Sequence, residues 1–148
     1  MIINKIIFNK LSVKLGFSIG PKVFGYGLVI PHYGTIVVGN SNSCGNYCVL
    51  HTSTCITSNG KTIGNAMYLS TGAKITTKLE LGDNVMIAAN SLVNKSFPHG
   101  HVLLVGSPAY EKGTREAWYS SDTVYNNRVA MIERLKKNIR GSKDDFEQ

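Results

Sequence analysis

The sequence predicts an all-β domain wound as a triangular parallel β-helix, with a short helix before it and another after it. Three observations carry that expectation. An aliphatic side chain recurs every six residues through the middle of the chain, small residues follow several of those positions, and helical spacing is confined to the two ends.

The beat runs Val38, Cys44, Leu50, Ile56, then Ile63, Leu69, Ile75, Leu81, Ile87 and Val93. Eight of its nine steps are six residues and one is seven. Nine of the ten positions are Val, Leu or Ile, where a composition 43% apolar gives about four apolar residues by chance. A period of six matches neither an α-helix nor alternating strands joined by hairpins. It matches a short strand and a turn repeated, each strand sending one side chain to a common axis, with about eighteen residues in each three-sided coil. Val38-Gly39, Cys44-Gly45, Ile63-Gly64, Leu81-Gly82 and Ile87-Ala88 place small residues where the chain must turn. The seven-residue step falls in Thr57-Ser58-Asn59-Gly60-Lys61-Thr62, a polar stretch expected to loop outward. Before Val38 the phase slips, because Ile30 and Ile36 are six apart but out of step with it.

The flanks read differently. Ile3, Ile6, Ile7, Leu11 and Leu15 have near-helical spacing and predict a short amphipathic helix over residues 1–15. Residues 16–110 form the β-helix. Residues 111–148 form an extension with a helix at about 122–140, whose apolar stripe is Val124, Ile132, Leu135 and Ile139. Asp122 is its expected N-cap and Gly141 its stop, and the stripe requires a docking partner in the β-helix or another subunit.

Charge is uneven. Residues 1–30 carry Lys5, Lys10, Lys14 and Lys22 and no acid, whereas residues 1–110 contain only Glu80 and Asp83 as acids. The total of +7 suits a polyphosphate ligand or an anionic surface. With neither an arginine cluster nor a basic-aromatic motif, nucleic acid is not the expected partner. No apolar run spans a membrane and no signal-peptide pattern is present, so a cytoplasmic protein is expected. Cys44, Cys48 and Cys55 are odd in number and lack C-x-x-C spacing, so they are expected as small apolar residues rather than disulfides or zinc ligands.

Three stretches resemble the hexapeptide-repeat acyltransferases, in particular the serine acetyltransferase-like group. They are Leu28–Gly39 (LVIPHYGTIVVG), the coils Leu69–Val93 ending in Ile87-Ala-Ala-Asn-Ser-Leu-Val93, and the closing turn Gly106-Ser-Pro-Ala109. The resemblance implies a left-handed parallel β-helix that assembles as a homotrimer, with acetyl-CoA lying in the groove between neighbouring subunits. It implies that His32 is the general base, taking the hydroxyl proton and returning it to the CoA thiolate. It further implies CoA contacts at Thr71 and Ala89, with Gly72, Ala88 and Ser107 flanking them and Lys112 near the phosphates. No metal is implied.

Four features differ from serine acetyltransferases. Only about sixteen residues precede the β-helix, Pro31 stands where the family has Asp, the loop Ser58–Thr62 is short and lacks a His, and Ser18 falls where the family's orienting acid lies. The chain is closer in outline to the O-acetyltransferases of sugars and surface polysaccharides. His51, nineteen residues after His32, is placed about one coil away as an acceptor-site or auxiliary group, together with Tyr33. His99 and His101 are expected in an exposed loop. Membrane contact is expected only through a lipid-linked acceptor. The competing expectations are serine as acceptor, a non-catalytic scaffold, and a γ-type carbonic anhydrase; the last needs a His-x4-His pair that the chain lacks.

Overall fold

A computed structural model describes residues 2–144. Helix α1 (Ile2–Leu15) leads into β1 (Phe17–Ile19). The coils follow as β2 (Ile36–Val38), β3 (Ser43–Cys44), β4 (Val49–Leu50), β5 (Thr54–Ile56), β6 (Thr62–Ile63) and β7 (Tyr68–Leu69). They continue as β8 (Lys74–Ile75), β9 (Glu80–Leu81), β10 (Met86–Ile87), β11 (Leu92–Val93) and β12 (Val102–Val105). Strand β13 (Tyr110–Thr114) and helix α2 (Thr123–Asp144) complete the chain.

Three sheets form the sides of the prism. The first is ordered β1-β2-β5-β8-β11, the second β4-β7-β10-β12-β13 and the third β3-β6-β9. Every pairing is parallel except β12 with β13, as expected when each strand lies under its counterpart one coil earlier. Register then stacks like positions: Ile19, Val38, Ile56, Ile75 and Val93 on the first side. Leu50, Leu69, Ile87 and Leu104 stack on the second, and Cys44, Ile63, Leu81 and Phe97 on the third. All ten residues of the six-residue beat are at most 6% exposed. Cys44 and Cys48 belong to this core, and burial pushes both thiols up to about 12. Cys55 is half-buried on the outer side of β5.

The corners need a left-handed residue in each coil. At one edge Tyr47, Ala66, Asn84 and His101 fill that role with φ of 58°, 55°, 57° and 54°. Beside them the side-chain oxygens of Asn46, Asn65 and Asp83 accept from the backbone N–H of Tyr26, Asn46 and Asn65, so each corner is bonded to the next.

The seven-residue step does not loop out whole. Ser58, Asn59 and Gly60 are exposed, whereas Lys61 turns inward and is 1% exposed. Its Nζ donates to the Thr57 carbonyl at 2.6 Å and to Thr57 Oγ1 at 2.9 Å. One extra residue is absorbed at Asn59-Gly60, which returns Lys61 to the interior row occupied by Asn42 in the previous coil, whose Oδ1 accepts from Lys61 N. Burial draws the Lys61 amine below its ordinary value.

Two compact units are present, one ending at Ala117 and the other beginning at Trp118. In the first, α1 stops at Gly16, whose φ of 79° and bond from its N–H to the Val13 carbonyl form a left-handed cap. Ile6, Ile7, Leu11 and Leu15 of its apolar set are exposed, while Phe8 and Ser12 border a cavity against the first coil. In the second unit Asp122 Oδ1 caps α2 by accepting from Val124 N at 2.9 Å and Tyr125 N at 3.1 Å. Val124 and Leu135 of its stripe are exposed. The helix runs through Gly141 rather than stopping there, since glycine weakens a helix without forbidding it and no proline follows. The side chains of Ile3 and Ile139 lie outside the described residues.

Candidate active site

Pairing across the coils places the sequence-predicted residues along one edge of the prism, where the chain passes from the second sheet to the first. His51 follows β4, Thr71 and Gly72 follow β7, Ala88 and Ala89 follow β10, and Ser107 follows β12. His32 and Tyr33 occupy the same corner in the first coil. The corner fixes why small residues suit it: Ser53, Gly72 and Asn90 all hold positive φ there. A Cβ on Gly72 would overlap the side-chain oxygen of Asn90 in the coil below. Lys112 is the exception, exposed on β13 where the register shift opposite Leu103 and Leu104 bulges the strand.

The first corner is longer than those below it. Val29 bridges Val49 and Ile36 pairs with Thr54, so seven steps in the first coil match five in the second. The two surplus residues are absorbed by the Pro31–Tyr33 segment. Gly34 N donates to the Leu15 carbonyl at 2.9 Å and Ser53 N to the Thr35 carbonyl at 2.7 Å, which anchors the chain on the far side of that segment. His32 is therefore exposed and Tyr33 is 80% exposed. This length difference is the physical reason for the phase slip before Val38.

His51 sits deeper. Its backbone N–H donates to the Leu69 carbonyl at 3.0 Å, and its carbonyl accepts from Thr54 Oγ1 at 2.8 Å. Its ring Nε2 lies 2.7 Å from the Tyr68 hydroxyl, with the rings 5.0 Å apart. Burial lowers the imidazole pKa, and the nearby His32 lowers it further when charged. A neutral ring at this depth accepts a hydrogen bond or a proton at Nε2. Tyr68 joins the site without belonging to any of the sequence motifs. A signal for it exists nonetheless: one position before inward Leu69 on a strand, it must point outward beside this edge.

The remaining histidines are elsewhere. His99 is exposed and pairs with Glu111 at 3.1 Å, and His101 is exposed near Asn84. Among the described residues no group of three or more His, Cys, Asp or Glu is arranged to hold a metal ion.

No protein-family model matches the sequence, and no curated protein matches it. Solved structures do. Neisseria gonorrhoeae serine acetyltransferase is 21% identical with a TM-score of 0.63, over 81% of this chain and 50% of that one. A serine acetyltransferase in complex with cysteine is 22% identical with a TM-score of 0.56, over 78% of this chain and 48% of that one. The fold is thus the left-handed parallel β-helix shared with these acetyltransferases. The chain spans about half the length of each.

Proposed function

We propose that this chain is an acetyl-CoA-dependent O-acetyltransferase that acetylates a hydroxyl of a sugar or surface-polysaccharide precursor. The observation that carries the reading is the single edge shared by His32, His51 and the small corner residues Thr71, Gly72, Ala88, Ala89 and Ser107. The likeness in fold to serine acetyltransferases supports it.

The chemistry follows from what each group can do. His32, exposed on its long corner, takes the proton from the acceptor hydroxyl as the oxygen attacks the thioester carbonyl carbon. The C–S bond then breaks, and the imidazolium returns its proton to the departing thiolate. His51, held neutral beside Tyr68, positions the acceptor or shares the base role. In this reading the small residues let a pantetheine arm approach backbone amides, with Ser107 flanking it and Lys112 serving the CoA phosphates.

A homotrimer is part of the reading. The outward side of the second sheet carries Val29, Tyr68, Met86 and Leu103 in register, each partly exposed beside the site, which suits a contact between copies. The working place is the cytoplasm, where acetyl-CoA and sugar precursors are at hand; among the described residues no helix is long and apolar enough to cross a membrane.

The test is acetyl transfer to a panel of sugars and to serine, with His32→Ala beside the parent. The expected result is a loss of about 10²–10⁴-fold in rate with acetyl-CoA binding retained. An unchanged rate overturns the assignment of His32. Transfer to serine alone assigns the amino-acid reading, and absence of acetyl-CoA binding assigns a non-catalytic scaffold.

A further inference from the structure

The His51 ring is held more firmly than a surface imidazole. Its backbone N–H is tied to Leu69 in the next coil, its carbonyl to Thr54 in its own turn, and its Nε2 meets the Tyr68 hydroxyl. The separation of 2.7 Å is at the short end for a nitrogen donor and ordinary for a hydroxyl donor. A phenol is also a stronger acid than a neutral imidazole, and an imidazole nitrogen is a stronger base than a phenol oxygen. The bond therefore runs from the Tyr68 hydroxyl to Nε2. In a neutral imidazole one nitrogen accepts and the other carries the proton, so this bond puts the proton on Nδ1.

Nδ1 is the open end of the arrangement. Among the described residues no protein group bonds to it, and no buried side-chain nitrogen or oxygen is left without a partner, so this N–H faces the edge surface. His32 stands at the same corner one coil earlier, near enough for its charge to act on the His51 ring. Successive coils lie about 4.8 Å apart, within the span of a single sugar ring.

We infer that His51 is a specificity-determining donor, its Nδ1–H bonding an uncharged acceptor oxygen beside the hydroxyl that His32 deprotonates, with Tyr68 the positioning residue that fixes its tautomer. The inference rests on the acetyl-transfer reading and narrows it. Because Nε2 is occupied by Tyr68, His51 does not share the base role. The acceptor then carries two neighbouring oxygens, as adjacent hydroxyls of a sugar do. A carboxylate in the same place would draw a second proton onto the ring, and its binding would tighten as pH falls.

The first measurement is a long-range proton–nitrogen NMR correlation of the His51 ring in the full chain, which needs no activity. A protonated Nδ1 and a bare Nε2 are expected, and Tyr68→Phe is expected to return a mixture of tautomers. The second is steady-state kinetics with a sugar that the parent acetylates. His51→Ala is expected to raise the acceptor KM about 3–10-fold, the loss of one neutral hydrogen bond, with the KM for acetyl-CoA unmoved. His51→Asn, whose amide N–H stands in for Nδ1–H, is expected to recover most of that loss; His51→Gln, whose amide reaches the Nε2 position, is not. Recovery by His51→Gln alone, or an effect confined to kcat, overturns the donor role. So does an acceptor KM that falls as pH drops from about 8 to about 6, which assigns a charged oxygen. An active parent with its proton on Nε2 overturns the donor role alone, whereas a parent inert toward every acceptor overturns the acetyl-transfer reading and the donor role with it.

Discussion

His51 Nε2 and the Tyr68 hydroxyl are 2.7 Å apart although seventeen residues separate them in sequence. The coil brings them together: Tyr68 lies under Val49 in the second sheet, and His51 follows Leu50 at that sheet's edge. Tyr68→Phe keeps the ring that packs beside the imidazole and removes only its oxygen. Expected is a stability change of about 1 kcal/mol or less, with a shift in the acidic limb of the kcat/KM profile. An unmoved profile assigns Tyr68 to packing alone.

The environment of His51 sets the sign of a second pH effect. Its pKa in the folded chain lies below the ordinary value, by burial first and by His32 second. Between that lowered value and the unfolded value near ~6.5, the unfolded chain binds more protons, so folding weakens as pH falls through this window. His51→Gln is expected to flatten the dependence of the urea midpoint on pH below ~6.5. A dependence equal to that of the parent removes His51 as its source.

Lys61 is a buried cation whose Nζ bonds only to oxygens of Thr57 in the described contacts. The Thr57 carbonyl also accepts from Asn42 Nδ2 at 3.0 Å, so it stays bonded when the amine is removed. Lys61→Met is expected to raise stability by about 1 kcal/mol, roughly 3 °C at the thermal midpoint. The folded amine is easier to deprotonate than the unfolded one, so the parent gains on the variant as pH climbs toward ~10.4. A fall in the midpoint with Lys61→Met means the amine's bonds outweigh its burial.

Neighbouring residues on β8 separate core from surface. Ile75 is fully buried between Ile56 and Val93, and Lys74 points outward. Ile75→Ala is expected to cost about 2–5 kcal/mol in urea unfolding, against about 0.5 kcal/mol or less for Lys74→Ala. Equal effects contradict the register.

The prism is legible in the sequence because its period is a property of geometry: three sides and one inward side chain per side leave a six-residue beat that no other regular structure produces. All ten positions of the beat are buried. The edge that gathers His32, His51 and the small corner residues is legible only in part. His51 follows from counting one coil on from His32 and the small corner residues from the family resemblance, but the exposure of His32 depends on a corner two residues longer than the next, which becomes visible only when Ile36 is paired with Thr54. Tyr68 escapes notice because it belongs to none of the quoted motifs, although its place one residue before inward Leu69 marks it as outward. Lys61 escapes for the opposite reason. A lysine in a polar run reads as solvated, and only the single-residue bulge at Asn59-Gly60 turns it inward.

Strand β13 runs against the direction of every other strand and carries Glu111 and Lys112 exposed across its register shift. A parallel solenoid ending on β12 would present a free edge able to template the first coil of another molecule, and so on without limit. An antiparallel, charged and bulged final strand cannot be continued in that way on this side. Residues 110–114 are therefore what keeps a repeating architecture finite there, and their deletion should convert a discrete protein into a fibre-forming one.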